Sequence, residues 1–229
     1  MCGRYAITSS PERLREAFGY AEEAEFPPRH NIAPTQPVPI LRNERRRDGA
    51  TRRHFVLVRF GFIPSFVKEP RGFPVIINAR AETALEKPSF RAAVMRRRCL
   101  FIADAFYQWQ AGEGPKRVFM VRRVDAAPFA MAGLYECWMG QNGSEIDTAC
   151  ILTTIANGTL AAVSERMPVI LDAKDHAAWL DCDAVDAKEA VRLAQPAPDE
   201  TLALVEISDA VNRVSNDGPF VQAPLPSRD

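Results

Sequence analysis

The residue with the most distinctive chemistry is Cys2, which directly follows the initiator methionine. Its side chain is small, so methionine aminopeptidase is expected to remove Met1 and leave a free α-amine beside the thiol. Such a 1,2-aminothiol can trap an aldehyde: the amine forms an imine, and the thiolate closes on the same carbon to give a five-membered thiazolidine. Because both nucleophiles belong to one residue, the second attack is intramolecular and is favoured by proximity.

An alternative interpretation gives Cys2 no chemistry. Free cysteine is among the most buried residue types and behaves as a small hydrophobic side chain. Residues 3–8 have the composition of a first strand, so Cys2 could simply begin it. The N-terminus alone leaves both interpretations open, and removal of Met1 is an assumption at this stage.

Composition indicates an ordinary globular protein. The 229 residues are 47% hydrophobic and 25% charged, and the chain is long enough to bury a sizeable core. No apolar run approaches the roughly 18 residues that a membrane helix needs, and the N-terminus has no signal-peptide pattern. We therefore expect a cytoplasmic protein with no membrane partner.

Cysteine and histidine usage argues against structural metals and disulfides. The five cysteines are odd in number and lack CxxC spacing, and the three histidines are scattered. This pattern favours a reducing compartment. We expect neither a metal site nor a cofactor.

Charge is unevenly distributed although the chain is neutral overall. Residues 1–123 hold 23 Lys and Arg against 12 Asp and Glu, a balance of +11, and residues 124–229 hold 6 against 17, a balance of −11. Arginine dominates the basic half and is well suited to bidentate phosphate contacts. The basic half predicts an anionic partner, unless the two halves simply neutralise each other within one fold.

Apolar patterning and breaker residues predict one mostly β domain over residues 1–229. Strands are predicted at residues 3–8, 38–42, 54–62, 75–77, 99–103, 118–123, 129–138, 149–156 and 202–207. Helices are predicted between Ser9, as cap, and Gly19, between Lys87 and Arg98, and at residues 172–180 and 187–194. Prolines make residues 27–37 an extended loop, and residues 216–229 are expected to form a loose tail.

Two strand pairings follow from the turns between neighbouring strands. Residues 38–42 and 54–62 are expected to form a hairpin around an arginine-rich tip at residues 45–49. Residues 118–123 are expected to pair with residues 129–138 in the same way.

Several short motifs occur in a fixed order along nearly the whole chain. They lie at residues 1–4, 31–36, 60–66, 78–83, 87–91, 98–100, 103–104, 132–135, 153–154, 166–168 and 211–212. A chain with this order of motifs resembles the SOS-response-associated peptidase family, also called abasic-site processing proteins. The resemblance implies an α+β fold: a single domain with a mostly antiparallel, barrel-like β core and several short helices.

The resemblance also implies a monomer of the bacterial cytosol or nucleoid that binds single-stranded DNA and captures abasic sites. An abasic site exists partly as an open-chain aldehyde, the electrophile that a 1,2-aminothiol traps. Carried over by position, Cys2 is the nucleophile, and Asn78 positions Cys2 and the sugar by hydrogen bonding. The implied DNA-binding residues are Arg80 and Arg166, which match phosphate-contacting arginines, with Arg4, Pro34, Thr153 and Thr154 as further candidates. The Pro34 loop and the aromatic turn at residues 60–66 would flank the lesion, and the older family name implies autoproteolytic or aminopeptidase removal of Met1.

Two catalytic positions depart from the family pattern. The family normally has Glu at Gln108, to manage the proton of the Cys amine, and His at Ser164, to assist sugar ring opening and crosslink reversal. Gln108 cannot take a proton near neutrality, and Ser164 does not titrate there. Loss of general acid–base help typically costs about 10²–10⁴-fold in rate. In addition, Phe60 and Phe66 stand where tryptophans are usual.

Three functions remain open on these grounds. The first is covalent capture of abasic sites through Cys2, with hydrolase and lyase activities implied by the family. The second is a pseudoenzyme that binds damaged or single-stranded DNA without covalent chemistry. The third is an N-terminal-nucleophile amide hydrolase, which also begins at a processed Cys but does not explain the arginine excess or the ordered motifs.

Overall fold

Thirteen strands, five α-helices and five short 3-10 helices make up residues 2–45, 49–110 and 117–226, the part of the chain that the computed structural model describes. The strands are β1 (Tyr5–Ile7), β2 (Arg29–Ile32), β3 (Pro37–Arg45), β4 (Thr51–Phe60), β5 (Asn78–Arg80), β6 (Arg98–Ala103), β7 (Ala105–Trp109), β8 (Val118–Arg123), β9 (Phe129–Met139), β10 (Glu145–Ile155), β11 (Arg166–Pro168), β12 (Ile170–Leu171) and β13 (Leu202–Ile207). The α-helices are α1 (Pro11–Phe18), α2 (Pro88–Arg96), α3 (Gly158–Ala161), α4 (His176–Leu180) and α5 (Ala187–Arg192). The 3-10 helices are Ala81–Thr83, Ala173–Asp175, Asp199–Thr201, Asp209–Asn212 and Pro219–Gln222.

Five strands of the larger, eight-stranded sheet close into a ring. The order β4-β3-β6-β9-β10 is antiparallel throughout, and β10 returns to β4 through a parallel pairing of Ala149 with Phe60. Ring closure satisfies the strand edges that an open sheet would expose. The prediction of an α+β fold with a barrel-like, mostly antiparallel core is confirmed.

The second sheet has five strands in the order β13-β8-β7-β1-β2. Its β8 corrects one prediction, because residues 118–123 do not pair with residues 129–138. Strand β8 pairs with β7 and, over six consecutive residues, with the distant β13. Strand β9 instead enters the barrel, where it pairs with β6, β10 and β12. The short connection therefore passes from one sheet to the other rather than forming a hairpin.

The two sheets share one core around three aromatic rings. Tyr5 of β1 makes edge-on contacts with Phe60 and Phe101 of the barrel, at ring-centroid distances of 5.8 and 6.3 Å. A Cβ on Gly133 would lie 2.6 Å from the Phe101 ring, so the barrel wall needs a glycine there. Cys2 belongs to the same buried cluster. The N-terminus is thus anchored where the sheets meet.

Local signals located the hairpin and the first helix closely. Strands β3 and β4 pair over nine residues, with the tip at residues 46–48 outside the described residues. Helix α1 ends at Gly19, which adopts a left-handed φ of 62°. Its cap is Ser10 rather than the predicted Ser9, because the Ser9 hydroxyl donates a hydrogen bond to Asp104 instead.

Three other segments differ from expectation. The strand predicted at residues 75–77 is instead found three residues later, as β5, where Asn78 begins the pairing with β10. Part of the proline-rich loop forms β2, an edge strand. The expected loose tail is held in place as far as Leu225. Asp217 accepts the backbone N–H groups of His30 and Asn31 at 2.6 and 2.7 Å, and the Leu225 N–H donates to the Glu206 carbonyl at 2.9 Å. Residues 227–229 lie outside the described residues.

Candidate functional site

Asn78 connects Cys2 to the barrel. Its side-chain Nδ2 donates a hydrogen bond to the backbone carbonyl of Cys2 at 3.1 Å and lies 3.4 Å from the carbonyl of Ile151. Asn78 occupies this position because β5 runs parallel to β10, with Asn78 opposite Ile151. The register of one short strand therefore places Asn78 beside Cys2.

The other end of the Asn78 amide is unused. Its Oδ1 is buried and has no hydrogen-bond partner among the described residues. A buried acceptor without a donor costs about 1–3 kcal/mol, so such atoms are normally paired. Asn78 consequently presents an available acceptor next to Cys2.

The Cys2 thiol is shielded from solvent. The residue is 1% exposed, and burial raises the pKa of the thiol to about 12. Desolvation has this effect because a low-dielectric environment disfavours the thiolate. At neutral pH the thiol is therefore protonated and poorly reactive in this structure.

Gln108 and Ser164, the two positions expected to depart from the family pattern, donate to the same backbone carbonyl. Gln108 lies on β7, is 2% exposed and donates from Nε2 to the carbonyl of Arg166 at 3.3 Å. The Ser164 hydroxyl donates to the same carbonyl at 2.8 Å and accepts the Arg166 N–H at 3.2 Å. Neither side chain forms a hydrogen bond with Cys2 within the described ranges.

The Arg166 side chain crosses β10 and meets Glu82. Its Nη1 and Nη2 atoms donate to the two carboxylate oxygens at 2.7 and 2.9 Å. Nη2 also donates to the Thr153 carbonyl at 2.7 Å and lies 3.2 Å from the Thr153 hydroxyl. Hydrogen bonds from Arg166 hold the pKa of Glu82 below its usual range, and nearby Arg80 adds a smaller effect.

Arg80 differs from Arg166 in being available. It lies opposite Thr153 in the β5–β10 pairing, is exposed, and forms no salt bridge with any described residue. The structure brings Arg80, Thr153 and Arg166 together around β10. Both candidate threonines, Thr153 and Thr154, are buried.

The Arg4 side chain is held by hydrogen bonds within the protein. Its guanidinium donates to the Asn31 side chain at 2.8 Å and to the carbonyls of Val211 and Asn212 at 2.7 and 3.3 Å. These bonds tie the N-terminus to the C-terminal segment. A DNA phosphate at Arg4 would have to compete with them.

Only one ring of the aromatic turn at residues 60–66 faces solvent. Phe60 and Phe62 are buried in the core, whereas Phe66 is 60% exposed. Pro34 is half-buried and precedes Thr35, whose φ is 76°. Of the three rings in this turn, Phe66 is the exposed one.

Sequence reasoning missed the role of Glu82 in this cluster. Its position two residues after Arg80 was visible, but nothing local indicates a pairing with Arg166, 84 residues away. The described residues contain no group of three or more His, Cys, Asp or Glu that could hold a metal ion. They also contain no membrane-spanning helix, the longest helix being the nine residues of α2.

Comparison with known proteins identifies the family. The model of the SOS response associated peptidase (SRAP) family matches residues 1–214. The chain belongs to the SRAP family. Among similar SRAP-type proteins, Abasic site processing protein YoqW of Bacillus subtilis (strain 168) is 34% identical over 223 residues, 96% of this chain and 97% of that protein. Abasic site processing protein HMCES of Gallus gallus is 30% identical over an alignment 264 residues long, which covers 98% of this chain and 78% of that protein.

Two solved structures share the fold seen here. A crystal structure of a protein from Bacteroides thetaiotaomicron aligns with a TM-score of 0.85 and 23% identity, covering 98% of this chain and all of that one. A protein from Bordetella bronchiseptica aligns with a TM-score of 0.77 and 26% identity, covering 90% of this chain and 100% of that one. The fold is therefore common to proteins that have diverged widely in sequence.

Proposed function

We propose that this SRAP-family protein binds single-stranded DNA and captures abasic sites covalently through Cys2. The observation that carries the proposal is the placement of Asn78, which holds the Cys2 carbonyl and keeps a buried, unpaired Oδ1 beside it. That acceptor suits the α-amine of a processed Cys2 or a hydroxyl of the sugar. The names of the relatives, which are called abasic site processing proteins, support the same substrate.

The proposed reaction has two bond-forming steps. After removal of Met1, the Cys2 α-amine adds to the aldehyde carbon of the opened sugar, and loss of one water gives an imine. The Cys2 sulfur then attacks the imine carbon, the thiol proton passes to the nitrogen, and a thiazolidine ring forms. The crosslinked product has the combined mass of protein and DNA less one water.

The surrounding residues supply position rather than proton transfer. Asn78 orients the N-terminal residue, and exposed Arg80 with partly exposed Arg166 provides positive charge for the phosphates on either side of the lesion. Gln108 and Ser164 are neutral and already bonded to Arg166. Because the Cys2 thiol is buried, capture also requires local opening at the N-terminus.

The direct test uses a single-stranded oligonucleotide with one abasic site. Wild-type protein is incubated with it, heated, and run on a denaturing gel, and the mass of any shifted band is measured. We expect a heat-stable band at the combined mass less one water, absent for Cys2→Ala and retained for Cys137→Ala, which removes an exposed cysteine. Asn78→Ala should slow its formation by about tenfold, the effect of one lost hydrogen bond.

A second variant separates the two nucleophiles. Cys2→Ser keeps the α-amine but replaces the thiol with a poor ring-closing group, so it should give an adduct that survives heating only after borohydride reduction. Intact-mass measurement establishes whether Met1 has been removed. Retained Met1, or no band from correctly processed protein, would overturn covalent capture.

A non-covalent function is the second candidate, and one observation favours it. Both positions that normally titrate carry neutral side chains, and the Cys2 thiol is buried and protonated. A protein of this kind would bind the abasic oligonucleotide in a fluorescence anisotropy titration yet give no heat-stable band. Cys2→Ala would then bind as tightly as the wild type.

A further inference from the structure

The guanidinium of Arg166 has little binding capacity left. Arginine carries five N–H donors. Glu82 takes one from Nη1 and one from Nη2, and Thr153 takes the second on Nη2. The Nε–H is buried without a partner among the described residues, so one N–H on Nη1 remains. A phosphate cannot make the bidentate contact that gives arginine its strength while Glu82 is in place.

Glu82 interacts with two cations: it is paired with Arg166, and nearby Arg80 also lowers its pKa. It follows Arg80 by two residues, at the start of the 3-10 helix Ala81–Thr83, and reaches Arg166 from the far side of β10. Its side chain is 44% exposed, against 19% for Arg166, so the carboxylate forms the outer surface of the pair. A DNA phosphate approaching Arg166 therefore meets a negative group first.

We propose that Glu82 occupies the fork of Arg166 that a DNA phosphate would take, and so weakens the hold of the protein on undamaged single strands. The inference deepens the proposed function and rests on it for the identity of the ligand. Arg80 supplies the initial attraction for the DNA. A phosphate can bind the fork of Arg166 only by displacing the Glu82 carboxylate, so Arg166 adds little to the affinity. Such a device gives specificity by disfavouring the wrong complex: on a strand without a lesion the protein dissociates, whereas covalent capture retains it at an abasic site.

The test measures binding to an undamaged oligonucleotide, so that no crosslink contributes. Wild type, Glu82→Gln and Glu206→Gln are titrated by fluorescence anisotropy at several salt concentrations. Glu206 is the matched control, because it forms a bidentate pair with Arg117 on the other sheet and its substitution changes net charge equally. Thermal melting of each protein accompanies the titrations.

Glu82→Gln should bind about two- to fivefold more tightly at low salt, the range for a partly exposed charge interaction. The slope of log affinity against log salt should steepen by about 0.7, the value for one additional phosphate contact on a single strand. Glu206→Gln should change affinity less. Adding Arg166→Gln to Glu82→Gln should abolish the gain, because the two residues act as one unit.

Three outcomes overturn the inference. Equal effects of Glu82→Gln and Glu206→Gln on affinity would show that the change in net charge alone causes the tighter binding. Weaker binding by Glu82→Gln, with an unchanged melting temperature, would make Glu82 a positioning residue for Arg166. Absence of DNA binding by every protein would overturn both this inference and the proposed function, whereas binding without crosslinking would contradict covalent capture alone.

Discussion

Gln108 and Ser164 donate hydrogen bonds to one and the same backbone oxygen, the carbonyl of Arg166. The two positions expected to depart from the family pattern are therefore joined in space through a residue of the proposed DNA-binding surface. Both side chains are neutral and satisfy an acceptor in a largely buried environment. A carboxylate in place of Gln108 could not donate a hydrogen bond. Its negative charge would face the partial negative charge of the Arg166 carbonyl oxygen.

Gln108→Glu is expected to accelerate crosslinking by about tenfold or more, within the range of general acid–base catalysis. Burial and the neighbouring Arg166 oxygen both disfavour the carboxylate, so the pKa of the new side chain should rise. A carboxyl group that titrates near neutrality can relay protons during imine formation. Single-turnover crosslinking measures the rate. An unchanged rate beside a fast wild type would indicate another base, with Glu165, Glu82 and His30 as first candidates.

The same substitution should leave a pH signature in stability. The pKa of a carboxyl at position 108 is expected to be higher in the folded than in the unfolded chain. Its stabilising contribution is then complete below about pH 4, the unfolded value, and is lost as the pH rises through the folded value. Melting temperatures of Gln108→Glu and wild type should therefore diverge between pH 5 and pH 8, and a constant difference would contradict the raised pKa.

Ser164→His should mainly affect release of the crosslink. An imidazole titrates near neutrality and can protonate the leaving group, whereas the Ser164 hydroxyl cannot. We expect the crosslink to become more reversible, measured by adding excess unlabelled abasic oligonucleotide after capture and following loss of labelled adduct. Ser164→Asn is the control, because it changes the side chain without adding a titrating group. Equal release by both variants would rule out proton transfer as the cause.

The two arginines on either side of β10 should contribute unequally to strand binding. Arg80→Ala is expected to weaken binding to single-stranded DNA more than Arg166→Ala, because Arg80 is exposed and Arg166 is paired with Glu82. Each loss should also flatten the salt dependence of affinity. Anisotropy titrations across a salt series measure both quantities. Unchanged affinity in the double variant would place the DNA elsewhere on the protein.

Burial of Cys2 predicts an unusual pH dependence for its alkylation. With the pKa raised to about 12, the thiolate fraction is small at neutral pH and grows about tenfold per pH unit. Modification by iodoacetamide, followed by peptide mass mapping, should still be rising at pH 9 in the folded protein. In the urea-unfolded chain it should level off above about pH 8.5. A plateau at pH 8 in the folded protein would show that the thiol is not held in a buried state.

Local chemistry in the sequence determined several features correctly. The hairpin of β3 and β4 and the glycine that ends α1 both depend on residues close together in the chain. The order of short motifs identified the family. Periodicity and turn residues act over a few positions, so a single sequence is enough to read them.

Partner choice among distant segments was decided only by the tertiary structure. Strand β8 pairs with β13 rather than with its neighbour β9, and Arg4 binds Asn31 and the C-terminal segment instead of remaining free. The pairing of Arg166 with Glu82 exists because β5 and β11 flank β10 on opposite sides. Such contacts are selected by the burial and hydrogen bonding of the whole fold, and no residue near them in the sequence carries that information.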